Sequence, residues 1–294
     1  MTERLSAFAH ITRQSGKIRV GKILSSPFLG WLIAKVCGNR IRNRGVTIDT
    51  SPPEFTKAVK AQLAFGIYEG AEVRFIRKYL RGYSKAIELG SSLGITAAHI
   101  VDVAAHGAEV VCVEANPKLL STLRLTIAAA AKKTSATVRT IHGAVPPDPT
   151  LPSPIAMLQI TKSNLGGRAD RTEDHDMSQR LPVPVVNLDE LAPEWDEYAL
   201  VCDIEGTEAG LILSSHPILT RASRLVIELH DTTYAAMPVT VADMKKALLD
   251  LGFLPLAENG RVMALDGPRK TIYASGFNGA RVKLPGKGRG EGGG

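Results

Sequence analysis

From residue 83 onward, short β-rich runs alternate with stretches whose apolar residues recur at helical spacing. "KAIELG" (85–90) reads as a strand, "GITAAHIVDVAAHG" (94–107) as a helix closed by a glycine, and "AEVVCVEANP" (108–117) as a second strand. A helix opening at Pro117 and a third strand, "ATVRTIHG", complete a β-α-β-α-β half. The alternation continues with a strand in "EYALVCDIEG" (197–206), a helix in "TEAGLILSSHPIL", a strand in "SRLVIELHD" (223–231) and a helix in "VTVADMKKALLDLG". "RVMALDG" and "KTIYASGF" then read as a terminal antiparallel pair. Strands separated by helices predict an α/β fold, a doubly wound, Rossmann-like sheet of seven mostly parallel strands. Ahead of it, residues 57–80 hold one or two amphipathic helices that cover the sheet. Residues 145–187, rich in Pro, Gly, Ser and charge, carry two further β-like runs, "IAMLQIT" and "LPVPVV". An insertion of that length is expected to serve as a lid or hairpin.

This pattern locates the chemistry. In an open doubly wound sheet the ligand crevice lies beyond the carboxyl ends of the strands, where strand order reverses. The first strand of each half ends there, at Gly90 and at Asp203. "ELGSSLG" places Glu88, Gly90, Ser91, Ser92 and Gly94 between a strand and a helix, with Gly90 permitting a sharp turn and the helix amides pointing their positive end into the crevice. A dinucleotide fingerprint needs a glycine where Ser92 stands, and no G-K-[ST] follows, which argues against NAD, FAD and a phosphate loop. Glu114 ends the second strand, where an acid accepts both hydroxyls of an adenosine ribose. A glycine turn flanked by two acids suits ribose hydroxyls and an amino-acid ammonium without a pyrophosphate, the make-up of S-adenosylmethionine.

"LVCDIEGTEAG" (200–210) is the densest acidic motif. By itself it is open to four readings: a base, a metal site, a ligand clamp or a solvated helix start. At the end of the fourth strand, Asp203 and Glu205 face the glycine loop, while Glu208 is expected to be a favourable charge in the first turn of the next helix. Glu228, His230 and Asp231 end the fifth strand. His230, with an ordinary pKa near neutrality, is a candidate base oriented by Asp203 or Asp231. A divalent metal held by Asp203, Glu205 and Asp231 is the rival for the same residues.

Composition adds three points. Cys37, Cys112 and Cys202 are far apart and lack C-x-x-C spacing, so neither a disulfide framework nor a zinc site is expected, and a reducing, cytoplasmic compartment is. No signal pattern or membrane-length apolar run is visible, so a soluble protein is expected. The net charge of +7 is lopsided: residues 1–60 hold 11 Lys and Arg against 3 Asp and Glu, the rest of the chain 25 against 26. The chain therefore divides into a basic, helical N-terminal arm (1–56), a main domain (57–280) and a flexible Gly-rich tail (281–294). In the arm, "PFLGWLIAKVCGNRIRNR" suits peripheral contact with an anionic membrane, a clamp for an anionic substrate, or a helix docked on the main domain with Arg40, Arg42 and Arg44 in solvent. The arm lacks interleaved aromatics and the body is not basic, so nucleic acid is not expected as a partner.

The blocks "YEGAEVRFIRKYL", "AIELGSSLGITAAHI", "VVCVEANPKLLSTL", "NLDEL", "CDIEGTEAGLI" and "LVIELHD" resemble, in order and spacing, those of the FkbM-like methyltransferases over roughly residues 57–260. The D-x-E-G-x-E block followed by "VIELH" is the most specific. The asparagine that commonly ends the helix after the second strand is absent from "IAAAAKK", and the insertion varies within that family. The resemblance implies a class I S-adenosylmethionine-dependent O-methyltransferase acting on a hydroxyl of a sugar, glycan or secondary metabolite; acceptor identity does not carry over, and it is the basic arm and the variable insertion that favour an anionic or carrier-linked one. It implies cofactor contact by Glu88, Ser91, Ser92 and the two loop glycines, and ribose contact by Glu114 with Ala115 and Asn116. Adenine contact falls to His142, Gly143 and Ala144, and Tyr68 and Glu69 pack over the methionine end. From their place at the strand ends, Asp203 and His230 are the expected acid/base pair, with Glu205 holding an acceptor hydroxyl or supplying a tuning hydrogen bond. A metal-dependent methyltransferase of a vicinal diol or catechol, and a non-catalytic binding module, are the alternatives.

Overall fold

A computed structural model of the chain describes residues 27–150, 154–160, 167–168 and 179–268. It begins with α1 (Pro27–Cys37), a hairpin of β1 (Arg40–Asn43) and β2 (Val46–Asp49), and two helices, α2 (Lys57–Ala64) and α3 (Gly70–Tyr79). The first half of the domain is β3 (Lys85–Leu89), α4 (Ile95–Val103), β4 (Glu109–Glu114), α5 (Leu120–Thr134) and β5 (Thr137–His142). The insertion supplies β6 (Ile155–Ile160), β7 (Gly167–Arg168) and β8 (Gln179–Pro184). The second half is β9 (Ala199–Cys202), α6 (Glu208–Leu213), α7 (Pro217–Thr220) and β10 (Arg224–Glu228). A small hairpin, β11 (Thr232–Tyr234) and β12 (Met237–Val239), precedes α8 (Val241–Asp250), β13 (Leu254–Asn259) and β14 (Val262–Asp266).

The central sheet has the order β13-β14-β10-β9-β3-β4-β5, in which β10, β9, β3, β4 and β5 are parallel and β14 runs antiparallel to both its neighbours. This is the expected seven-stranded doubly wound sheet, with its order reversing between β3 and β9. Because both faces are covered, the strands are nearly continuous apolar runs, and residue parity decides which layer each side chain joins. Ala86, Val110, Cys112, Ala199, Val201 and Val226 join one core with α3, α4 and α5. Ile87, Val111, Val113, Leu200, Cys202 and Ile227 join the other, with α6, α7 and α8.

Several boundaries differ from expectation. The edge pair is β13 with β14, whereas "KTIYASGF" and the tail 281–294 lie outside the described residues. The helix expected at Pro117 starts at Leu120, after a turn in which Asn116 Oδ1 accepts Lys118 N at 3.1 Å. The arm is not helical throughout. α1 ends at Gly38 and Asn39, both left-handed, and Arg44 and Gly45, at φ +42° and +97°, close a two-residue hairpin. Ile41, Asn43, Val46 and Ile48 face inward and Arg40, Arg42 and Arg44 outward, so alternation with period two, not 3.6, describes residues 40–48. The two insertion runs do pair, β6 with β8, beside a bridge between Ala144 and Val185. Among the described residues no helix is long and apolar enough to cross a membrane.

Candidate active site

Gly90 ends β3 at φ +88°, and a Cβ there would lie 1.8 Å from the backbone oxygen of Asp203. The loops leaving β3 and β9 cross at this point, and no residue with a side chain fits. Gly90 N and Ser91 N both donate to Val113 O at 3.0 Å, and Asp203 N donates to Leu89 O at 3.0 Å, so loops from three strands are tied together. Gly94, at φ +81°, starts α4 where a Cβ would press on Leu123.

A cleft of about 700 Å³, open solvent included, lies over this crossing. Of the residues expected at the site, Glu69, Gly90, Ser92, Glu114, Ala115, Asn116, Gly143, Ala144, Asp203 and Glu205 line it. Gly143 is forced by the insertion, since a Cβ there would meet Val186 at 2.4 Å. His142 is not among the lining residues: its Nε2 lies 3.2 Å from Ala115 O, so the ring braces the end of β4. Tyr68, Ser91 and Gly94 lie behind the lining, the Tyr68 hydroxyl desolvated and its pKa raised, with Glu69 beside it. Leu158 of the insertion and Val113, Leu119, Val145, Ile204 and Thr207 complete the wall. Apart from Thr207 these positions are apolar and carry no chemical signature, and sequence reasoning missed all six.

Glu114 binds the loops directly. Its Oε2 accepts Ser92 N and its Oε1 accepts Asn116 N, each at 2.6 Å. Each oxygen keeps a further lone pair for a hydroxyl. Ser92, Glu69 and Glu205, all non-glycine residues, adopt left-handed backbones at φ +47°, +46° and +53°, and all three line the cleft. Strain of this kind gathers at ligand sites.

Parity places the acids. Glu88 follows Ala86, Asp203 follows Val201 and Glu228 follows Val226, all on the face covered by α3. Behind Gly90 these three meet Glu69 and Glu72 in a smaller pit. Glu72 was not anticipated, because a carboxyl in a first helical turn is ordinary in sequence. Burial lifts the Glu88 carboxyl to about 7. Burial, then the neighbouring Glu72, lifts Glu228 to about 7. Asp203 is held well above the ordinary range by burial and by Glu228 and Glu205.

His230 and Glu208 require the main correction. Glu208 is fully buried, not a solvated charge: it accepts Ile204 N at 3.0 Å, Gly206 N at 2.7 Å and bonds His230 Nδ1 at 3.2 Å. It thus shapes the loop after β9 and orients the histidine, a task expected of Asp203 or Asp231. Glu205 and Glu228 each approach His230 Nε2 to 3.7 Å. Burial alone would lower the His230 pKa, but the bonded Glu208, with Asp203 and Glu205, raises it to about 9. A raised pKa favours the protonated, hydrogen-bond-donating form of the ring over the free base. Asp231 turns away, accepting Val241 N at 2.8 Å and pairing with Arg261 at 3.4 Å. The expected metal set of Asp203, Glu205 and Asp231 is therefore not assembled. Asp203, Glu208 and His230 do lie within 4.8 Å of one another.

No family model matches the chain, and no curated protein matches it. Solved structures with a similar layout include a precorrin-6y C5,15-methyltransferase from Geobacter metallireducens (11% identity, 67% of this chain and 84% of that chain, TM-score 0.36). Others are a ribosomal protein L11 methylase from Lactobacillus delbrueckii subsp. bulgaricus (11%, 66% and 74%, 0.35) and Aeropyrum pernix fibrillarin with natively bound S-adenosyl-L-methionine (14%, 64% and 66%, 0.34). At these identities and scores the likeness is one of general layout, and the chemistry rests on the residues described above.

Proposed function

We propose that the chain is an S-adenosylmethionine-dependent O-methyltransferase. The observation that carries this reading is the charge of the crevice. Glu69, Glu88, Glu114 and Asp203 surround the Gly90 turn, and among the described residues lining the cleft and the pit there is no Lys, Arg or His. A dinucleotide pyrophosphate would find repulsion there, whereas a sulfonium and an ammonium find complementary charge. The pocket also offers unspent polar atoms: both oxygens of Glu88, Glu69 Oε2, Ser91 Oγ, Ser92 Oγ and Asp203 Oδ1 are buried without a hydrogen-bond partner. A ligand bearing donors satisfies such groups.

When bound, S-adenosylmethionine supplies an electrophilic methyl on a cationic sulfur. The chain's own residues then have two tasks, aligning the acceptor oxygen and removing its proton. Asp203, at the floor of the cleft with a raised pKa, is the proton acceptor. His230, a cation fixed by Glu208, is the hydrogen-bond donor, and Glu205 beside it holds the acceptor hydroxyl. The resemblance to FkbM-like methyltransferases supports a hydroxyl of a sugar, glycan or secondary metabolite as acceptor. With so many acids around the reacting centre, an anionic or carrier-linked portion of that acceptor lies outside the crevice; peripheral membrane contact through the basic N-terminal region belongs to the same proposal.

Calorimetric titration with S-adenosylhomocysteine tests the reading. We expect saturable binding, weakened roughly tenfold or more in Glu114→Ala, the equivalent of one lost charge-assisted hydrogen bond. Failure of both S-adenosylhomocysteine and S-adenosylmethionine to bind would overturn it. Turnover is expected to survive EDTA; its loss on chelation and return with a divalent ion would favour the metal-dependent alternative.

A further inference from the structure

The pit behind Gly90 is lined by Glu69, Glu72, Glu88, Asp203 and Glu228. Three of these acids leave one face of adjacent strands and two come from the start of α3, so the fold itself drives five carboxyl groups together. Glu88 is 1% exposed, with only the Ser91, Thr96 and Cys112 side chains near enough to bond it and neither oxygen in a well-formed hydrogen bond; Glu69 Oε2 and Asp203 Oδ1 are likewise buried without a well-formed bond. Two unit charges 4 Å apart repel by about 4 kcal/mol at an effective dielectric near 20. Acids gathered this closely in a dry pit repel one another once ionised, which favours retention of a proton in the free pit.

The surrounding groups do not remove that preference. From β4 the pit meets the Cys112 thiol beside Glu88, with Glu114 beyond; from the segment before α3, the Tyr68 phenol beside Glu69. From the loop after β9 come Glu205 and Glu208, and from the end of β10 the His230 imidazolium, among the described residues the cation acting on Asp203, already paired with Glu208. Asp203 lines both the open cleft and the pit, so it connects them.

Resting on the cofactor assignment above, we propose that this pit holds a displaceable proton, released when a ligand of net positive charge fills the crevice and regained from the acceptor hydroxyl during methyl transfer. In that transfer the acceptor oxygen forms its bond to the methyl carbon, the carbon–sulfur bond breaks with its electron pair remaining on sulfur, and the hydroxyl proton passes to Asp203 Oδ1. One positive charge disappears as one carboxylate is neutralised, so the net charge of the enclosed site is the same before and after. The neutral product is then left in a pit that has returned to its resting protonation.

The test is a proton count. The full chain is titrated near pH 7 with S-adenosylmethionine, sinefungin and S-adenosylhomocysteine, each in phosphate and in Tris, whose ionisation enthalpies differ. The first two, with one positive charge in excess, are expected to release about one proton, and the neutral thioether far less; affinity for the cationic pair should rise by up to roughly tenfold per pH unit between 6 and 7. Cationic ligands that bind with the same heat in both buffers would overturn the proposal and leave the cofactor assignment standing. Absence of binding by all three would overturn both. Glu228→Gln, or Glu88→Gln should the first fail to fold, is expected to cut the released proton by at least half; an undiminished count would place the proton outside the pit and sink the idea.

Discussion

His99 and His230 are each enclosed by protein and each hydrogen-bonded, yet their surroundings drive them in opposite directions. His99, on α4, is completely buried: its Nδ1 lies 3.1 Å from Arg77 Nη1 and its Nε2 lies 3.0 Å from the Asn43 amide oxygen. Burial, then the Arg77 cation, lowers its pKa to about 4. His230 has carboxylates on every side and is raised to about 9. One ring is a neutral joint fastening the N-terminal hairpin to α4; the other is held among Glu205, Glu208 and Glu228, outside the lining of the crevice. Desolvation acts on both alike, so the sign is set by the charge of the partner.

The largest effect should come from removing the partner of the cation. Glu208→Ala strands two backbone N–H groups and an imidazolium in a buried site, and a loss of about 3–5 kcal/mol in urea unfolding is expected. NMR titration should show the His230 pKa falling from about 9 to 6.5 or below.

The pH dependence separates the two rings. The folded pKa of His99 lies below its ordinary 6.5, so its contribution is present above pH 6.5 and is lost as pH falls toward 4, by up to about 3 kcal/mol. The folded pKa of His230 lies above 6.5, so its contribution is complete below pH 6.5 and is lost as pH rises through about 9. Urea unfolding at pH 6.5 and 4.5 should show a steep acid limb in the wild type and a shallower one in His99→Gln. Equal limbs would mean that His99 is protonated without cost.

Asn43→Asp asks whether partner charge alone separates the pair. With a carboxylate at Nε2, His99 should take on the character of His230, its pKa rising by at least about one unit at a cost of roughly 1 kcal/mol. A ring that stays near 4 would show burial, not the partner, to be in control. The smallest effect is expected for Lys133→Gln. Lys133 reaches Asp102 at 2.7 Å but is 68% exposed, while Arg77 still holds that carboxylate at 2.9 Å. Stability should move by less than about 0.5 kcal/mol, and the His99 pKa not at all.

What the sequence revealed and what it hid follow the same division between pattern and partner. The alternation of strands and helices and the apposition of Gly90 and Asp203 were legible because apolar periodicity and a glycine at a strand end are local signals. Glu114 and the acids of "CDIEGTEAG" were legible as a set. Their separate roles were not, because burial and pairing decide them: Glu208 is identical in sequence to a solvated first-turn acid, and only its three partners make it the anchor of His230. The hairpin at residues 232–239 escaped notice for a related reason. It turns on Ala235 and Ala236, both left-handed, where neither Gly nor Asn advertises the bend.

The shared parity of Glu88, Asp203 and Glu228 also bears on folding. A slip of one residue in any of these strands would carry its terminal acid into the opposite layer, for β10 among Met244, Leu248 and Leu265. A misregistered sheet would therefore move that carboxyl out of the polar pit and into hydrocarbon, at a cost in stability. The acids that shape the crevice thus act during assembly as proofreaders of strand alignment, and neutral substitutions there should raise the yield of misfolded chains even where the final structure tolerates them.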